Sequence, residues 1–324
     1  MVFSELSIDA LSEFSMAHTH AVMFHHFHNE QHPIGQGSLS TEQFEAMIDW
    51  LADRYSILSA DEYIYKLENS KLNSKDICLT FDDALLCQSE IAAPILRKRN
   101  IQAFFFVYSS PFVGDPDFLE IYRYFRTTEF DDIDDFYEKF FYRANVVFSR
   151  EYDLAAMNYD GGEYLKSYPF YSPNDKWFRF LRDNILGKER YEEIMRLLML
   201  EYNFHPDSVM KKLWMNDGSL RGLMGDGHTI GLHSYSHPTT LHLLDKKSQE
   251  REYAKNYKHL SELLGVRLTA MSHPCGNYNA DTLDVLNSKN IKIGFRSNNS
   301  IKEIRSNLEI PREDHSNVIK EMGV

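Results

Sequence analysis

The chain has 324 residues, 43% of them hydrophobic, enough for a sizeable core and compatible with two average domains or one α/β barrel. Its formal net charge of −13 argues against nonspecific nucleic-acid binding, which needs a basic surface. No apolar stretch approaches the length that crosses a bilayer, so no transmembrane segment is expected.

In chain order, Met1-Val2-Phe3-Ser4-Glu5-Leu6 lacks a basic region followed by an apolar core, so a secretory signal is not expected. Three cysteines, Cys78, Cys87 and Cys275, cannot all pair within one chain and read as reduced thiols of a cytoplasmic protein. Six histidines crowd residues 18–32: His18, His20, His25, His26, His28 and His32. A second metal site is the sharper reading; a strand end and loop, with some imidazoles near a pocket, is the simpler one. Ser40-Thr41-Glu42-Gln43 forms a capping box, and Phe44, Met47, Ile48 and Leu51 follow at helical spacing. Tyr55–Leu58, Ile77–Phe81 and Ala103–Val107 read as strands, and their alternation with helices implies a largely parallel sheet.

From Pro111 to Lys212 strand signals stop. Helices are expected near Asp132–Phe148, Asn174–Leu186 and Lys188–Tyr202. The segment holds 24 of the 44 aromatic residues, so it has material for a small core of its own, although a few rings could line a substrate cleft. Its acidic run, Glu129-Phe130-Asp131-Asp132-Ile133-Asp134-Asp135, reads as a solvated helix start. The barrel pattern resumes at Gly218–Gly227 and continues through a strand at Thr229–Leu232. An amphipathic helix follows at Lys246–Leu264, closed by Gly265. Leu268–Met271, Ala280–Ser288, Ile291–Phe295 and Leu308–Ile310 supply the remaining strands and helix.

Two clusters carry chemistry. The run Ile77-Cys78-Leu79-Thr80-Phe81 ends in Asp82-Asp83. Buried carboxylates bind a cation, shift their pKa or meet solvent, and strand ends opening on a pocket are where α/β folds place chemistry. By themselves the two acids could equally cap a helix. The second cluster, His233-Ser234-Tyr235-Ser236-His237, follows another strand. Two imidazoles at that spacing can converge on one ion. Two histidines and one carboxylate, with open positions left, make a hydrolytic metal site.

These residues carry a resemblance. Thr80-Phe81-Asp82-Asp83 and His233-Ser234-Tyr235-Ser236-His237 resemble the first two motifs of the polysaccharide deacetylases, carbohydrate esterase family four. Ser272-His273-Pro274-Cys275-Gly276-Asn277-Tyr278-Asn279 resembles the third motif, Val22-Met23-Phe24-His25-His26 the opening strand, and Ala93-Pro94-Ile95-Leu96 with Ala103–Val107 the flanking helix and strand. The resemblance covers residues 20–110 and 213–315. It implies an α/β fold, a distorted (β/α) barrel of seven or eight strands built from 1–110 and 213–324, with 111–212 as an inserted helical subdomain. Such an insert suits either a lid restricting the cleft to short or terminal substrates or an oligomerisation unit.

The resemblance also implies roles. Asp83, His233 and His237 would hold a divalent metal, expected to be zinc. Asp82 would be the general base, and the backbone N–H of Cys275 an oxyanion donor, with Gly276 allowing close approach. His25 would lie near the pocket but off the metal. His315 is the candidate general acid. Two departures stand out: Ser272 occupies the place of an arginine that orients the base, and the usual Leu-x-His acid motif is not legible. Arg312 or His273 could fill either role. The expected activity is removal of an N-acetyl group from an acetamido sugar, a nucleotide-linked or lipid-linked precursor of a surface glycan. The alternatives are hydrolysis of a non-sugar amide and an inactive carbohydrate-binding relative.

Overall fold

A computed structural model describes residues 21–164, 171–298 and 305–323. His18, His20 and the opening Met1–Leu6 lie outside the described residues. The chain divides into two compact units. One is built from the chain up to Asp117 and from Lys211 onward, the other is Phe118–Met210.

The first unit is organised on a parallel sheet. Its strands are β1 (Ala21–Phe24), β2 (Ser56–Ile57), β3 (Asp76–Phe81), β4 (Phe104–Val107), β5 (Thr229–Leu232), β6 (Ala270–Ser272), β7 (Ile293–Phe295) and β8 (Glu313–Asp314). Seven lie along one path, β7-β6-β5-β4-β3-β1-β8, and β2 pairs with β3 off that path. Every pairing is parallel. The result is a half-barrel with helices around it, a distorted (β/α) barrel.

One expected strand is displaced. Leu308–Ile310 contributes only a single bridge, Ile310 to Phe295 of β7, and the pairing with β1 is made by Glu313 and Asp314. Residues 310–314 therefore carry the chain from one end of the strand path to the other. The apolar run marked burial, but partner geometry decided which residues made the ladder.

Strands of a parallel sheet are buried on both faces, so they read as continuous apolar runs. All six residues of β3 and all four of β4 are buried. Phe24, Phe27, Phe44 and Phe81 form one aromatic cluster, which Phe105 extends by stacking on Phe81 at 4.6 Å. Tyr63, Phe104, Phe106, Ile293 and Phe295 fill another. At Gly231, inside β5, a Cβ would lie 2.7 Å from Ala270 O and from the Phe106 ring, so the sheet admits only hydrogen there.

The first unit's helices begin with α1 (Thr41–Ala52), α2 (Ala60–Glu68) and α3 (Ala93–Lys98), which continues a π-helical turn at Gln88–Ala92. The capping box is present on α1: Ser40 accepts from Gln43 N, and the Gln43 side chain accepts from Ser40 N. Phe44, Met47, Ile48 and Leu51 are its buried face.

The second unit contains α4 (Phe118–Thr128), α5 (Ile133–Val147), α6 (Ser149–Asn158), α7 (Pro173–Phe180) and α8 (Gly187–Glu201). The helix expected at Asn174–Leu186 is α7 followed by a π-helical turn, Leu181–Leu186. Aromatic side chains pack on one another here, with Phe125 against Phe130 and Phe204, and Phe178 against Phe136 and Phe140. The Arg126 guanidinium lies over Phe136 and Phe178.

Returning to the first unit, α9 (Asp217–Gly225), α10 (Lys246–Leu264), α11 (Ala280–Ser288) and α12 (His315–Met322) complete the chain. Gly265 ends α10 in the left-handed region, φ +68°. Among the described residues, no helix is long and apolar enough to cross a membrane.

His228, just before β5, is buried and its Nδ1 accepts the Ala103 N–H at 3.0 Å. Burial lowers its pKa to about 4, against the opposing pull of Asp226. The unfolded chain, with an ordinary histidine pKa of about 6.5, therefore binds a proton that the folded chain refuses. Stability is lost as pH falls from about 6.5 to about 4. Urea unfolding at pH 7 and pH 4.5 should show the parent losing roughly 2 kcal/mol more than His228→Gln. Equal losses would remove His228 as the cause.

Candidate active site

The exits of β1, β3, β5 and β6 converge. Asp82 still pairs with the sheet, its N–H donating to Phe24 O at 3.1 Å. Asp83 and Ala84 then turn into the left-handed region, φ +77° and +53°. That conformation is unfavourable for residues with a Cβ and persists only where surroundings enforce it. Here Met215 N donates to Ala84 O at 2.9 Å, and Leu85 bridges Trp214, pinning the turn.

The strand β5 delivers His233. Its N–H is shared by Val107 O at 3.2 Å and Asn256 Oδ1 at 3.0 Å. Its ring Nδ1 donates to Ser272 O at 3.0 Å and lies 2.7 Å from Ser272 Oγ, leaving Nε2 aimed at Asp83 Oδ1 at 3.3 Å. His237 brings its Nε2 to 3.5 Å from the same oxygen, while its Nδ1 faces Asp117 Oδ2 at 3.3 Å. The loop between them is held by Glu252 of α10, which accepts from the N–H groups of Tyr235 and Ser236. Ser234 and His237 are again left-handed.

Asp83 Oδ1 is buried and has no hydrogen-bond partner. A buried anionic oxygen without a donor is costly, yet two imidazole nitrogens converge on it. Donor atoms of Asp83, His233 and His237 all lie within 4.8 Å of one another, and among the described residues this is the only such group able to hold a metal. The donor set and the orphaned oxygen both fit a divalent cation of the zinc class. The loop histidines have other partners: His28 Nδ1 meets Ser38 Oγ at 2.8 Å, and His32 Nε2 meets Glu90 Oε2 at 2.7 Å.

Asp82 is compensated differently. Arg312 Nη1 and Nη2 donate to its two oxygens at 2.8 and 2.6 Å, and Ser272 Oγ donates to Oδ1 at 3.1 Å. Arg312 also donates to Thr80 Oγ1 and to Arg296 O. Arginine and aspartate are both buried, at 0% and 2% exposure. Burial pushes the Asp82 pKa up, but Arg312, followed by His233, outweighs it and holds the carboxyl below its ordinary range. Arg312 comes from the run between the two ends of the strand path, and Ser272, which replaces the expected arginine, supplements it.

The remaining site expectations divide. His25 Nε2 lies 3.9 Å from Asp82 Oδ2 and 3.9 Å from Asp83 Oδ2, with its side chain 27% exposed. Cys275 sits in the turn after β6 at φ +51°. Gly276 is required there: its φ is +67°, and a Cβ would lie 2.2 Å from Ser297 Oγ. His315 needs correction. Its Nε2 lies 2.8 Å from Gly37 O and its Nδ1 3.3 Å from Met23 O, so both ring nitrogens face backbone carbonyls. Burial lowers its pKa, against Asp314. It is built into the start of α12. His273 is likewise buried, held by Leu308 O and stacked on Tyr278, its pKa lowered by burial to about 3.

Arg312→Ala would strand a buried carboxylate and should cost about 3–5 kcal/mol of stability. Adding Asp82→Asn should recover part of that loss, giving strong coupling in a double-mutant cycle followed by urea unfolding. A purely additive cycle would mean that the pair does not interact.

A family model described as polysaccharide deacetylase matches residues 129–294, just over half of the chain. The matched span contains His233, His237 and Ser272, while Asp82 and Asp83 lie before it and Arg312 after it. No curated protein matches the sequence. Solved structures share the fold. The Streptococcus pyogenes deacetylase PplD in complex with acetate aligns with a TM-score of 0.53 at 16% identity, over 94% of this chain and 97% of that one. IcaB from Ammonifex degensii aligns with a TM-score of 0.55 at 13% identity, over 91% of both chains. A de-N-acetylase from Aggregatibacter actinomycetemcomitans gives 0.53 at 14% identity, over 91% and 93%. At such identities the likeness speaks for the fold alone. The family match rests instead on the sequence itself, and by it this chain belongs to the polysaccharide deacetylase family.

Proposed function

We propose that the protein is a metal-dependent N-deacetylase of an acetamido sugar, acting in the cytoplasm on a nucleotide-linked or lipid-linked precursor of a surface glycan. The observation that carries the metal dependence is the buried, partnerless Asp83 Oδ1, faced by the Nε2 atoms of His233 and His237. Asp83, His233 and His237 would hold the ion. A divalent ion bound there would acidify a water molecule and polarise the amide carbonyl.

The chain's own groups supply the rest. Asp82 accepts the proton of the attacking water; the Arg312 clamp keeps it ionised and fixes its orientation, as a general base requires. The Cys275 N–H donates to the oxyanion, and the left-handed turn at Cys275 and Gly276 supports that role. The position of His25, beside both carboxylates and partly open, supports it over His315 as the proton donor to the leaving amine. The cytoplasmic assignment is supported by three cysteines of which none is in a disulfide.

Metal analysis joined to an acetate-release assay across nucleotide-linked N-acetyl sugars tests this reading. The parent should carry about one zinc-class ion per chain, matching the one three-residue ligand set among the described residues, and should release acetate. His237→Ala should lose the ion. Asp82→Asn should keep it and lose roughly two or more orders of magnitude in rate. An Asp82→Asn variant without metal would make Asp82 a ligand. Metal-loaded protein that releases no acetate from any sugar, yet cleaves a non-sugar amide, would redirect the substrate assignment.

A further inference from the structure

His237 differs from His233 in how its ring is held. His233 is fixed by Ser272 of the neighbouring strand and by a doubly accepted N–H. His237 lies past the strand end, in a left-handed conformation, with its N–H on Ser234 Oγ at 3.1 Å. Its ring nitrogens meet two carboxylates, Asp83 through Nε2 at 3.5 Å and Asp117 through Nδ1 at 3.3 Å. An imidazole that ligates through Nε2 must carry its hydrogen on Nδ1. A carboxylate opposite Nδ1 selects that tautomer, fixes the ring plane and makes Nε2 a better donor.

Asp117 is placed for this by the loop that precedes it. Ser109 and Ser110 both donate their N–H groups to Tyr235 O, at 3.1 and 2.9 Å, between the two histidines. Asp115 N closes back on Ser110 O at 2.9 Å. Ser109 Oγ accepts from Asn256 Nδ2 at 2.7 Å, and Asn256 Oδ1 accepts the His233 N–H. One connected set of hydrogen bonds thus joins the loop leading to Asp117 with the backbone that carries both histidines. The Asp117 side chain is 15% exposed, shielded enough for its charge to act on the ring.

We propose that Asp117 is a positioning residue for metal binding, orienting His237 and setting its tautomer; this rests on the reading of His237 as a ligand. The test is Zn2+ affinity, measured by competition with a chromophoric chelator on the full chain, alongside thermal melting of the metal-free protein. Asp117→Ala should weaken Zn2+ binding roughly 10- to 100-fold, the usual effect of removing an outer partner of a ligand histidine. Asp117→Asn keeps an oxygen for the Nδ1 hydrogen but not the charge, and should fall between parent and Asp117→Ala. Metal-free melting should be the same for all three. Parent-like affinity in Asp117→Ala would overturn the inference while leaving the metal reading intact. So would equal losses in both variants accompanied by a lowered metal-free melting temperature, since that is a structural defect. A parent that binds no Zn2+ would overturn the metal reading and the inference with it.

Discussion

Two adjacent carboxylates are buried at the end of one strand, and much of the surrounding structure answers that constraint. Asp82 and Asp83 are 2% and 7% exposed. Two neighbouring anions in a medium of low polarity repel each other and lose their hydration. The molecule compensates them in different ways. Asp82 receives a permanent internal cation, Arg312, in a forked pair whose planar geometry only arginine supplies. Asp83 receives two imidazoles and keeps one oxygen without a donor. The division gives the carboxylates different chemistry: one is committed to ionisation and orientation, the other is left able to bind a cation.

This arrangement depends on the parallel sheet. β3 lies between β1 and β4, so its exit is surrounded by the exits of neighbouring strands. β5 and β6 bring His233 and Ser272, and the run between Ile310 and Asp314 carries Arg312. Immediately beyond the strands the chain must turn sharply while keeping side chains aimed inward. Asp83, Ala84, Ser234, His237 and Cys275 all have positive φ. Each such residue costs on the order of 1–3 kcal/mol. Met215, Ser109 and Ser110 supply hydrogen bonds that hold these turns from outside.

Much of this was legible in the sequence. Continuous apolar runs marked the buried strands, and polar residues placed abruptly at their ends marked the residues that the fold brings together as a candidate site. Ser40 and Gly265 marked helix ends because capping is a local matter, settled within a few residues. What local pattern could not supply is the long-range pairing. Arg312 was one of two candidates for the missing roles; its bond to Asp82 spans 230 residues and exists because the run between Ile310 and Asp314 joins the two ends of the strand path. Asp117, in a polar turn after β4, carried no signal at all. The sequence offered Arg312 and His273 as alternatives for the missing arginine, and only the fold decides between them: Arg312 reaches Asp82, whereas His273 is held by Leu308 O. His315 was chosen because the resemblance implies a histidine near the C-terminal end; its ring nitrogens face backbone carbonyls, which speaks against it as the proton donor and which no local pattern could reveal. In the second unit, α4 and α6 were missed; α4 does bury one face, Ile121, Tyr122 and Phe125, whereas α6 has a weak pattern, burying Ala155 while Leu154 and Met157 are exposed.

The central claim is that the two carboxylates have separate roles, one toward a metal and one toward Arg312. A crystal structure of Zn2+-loaded protein with anomalous data at the zinc edge tests it most directly. The account predicts one anomalous peak about 2.0–2.2 Å from Asp83 Oδ1 and from the Nε2 atoms of His233 and His237, the usual range for such ligands. Asp82 should be off the metal and still paired with Arg312. A peak bridged by both Asp82 and Asp83, or no peak among these residues, would contradict it.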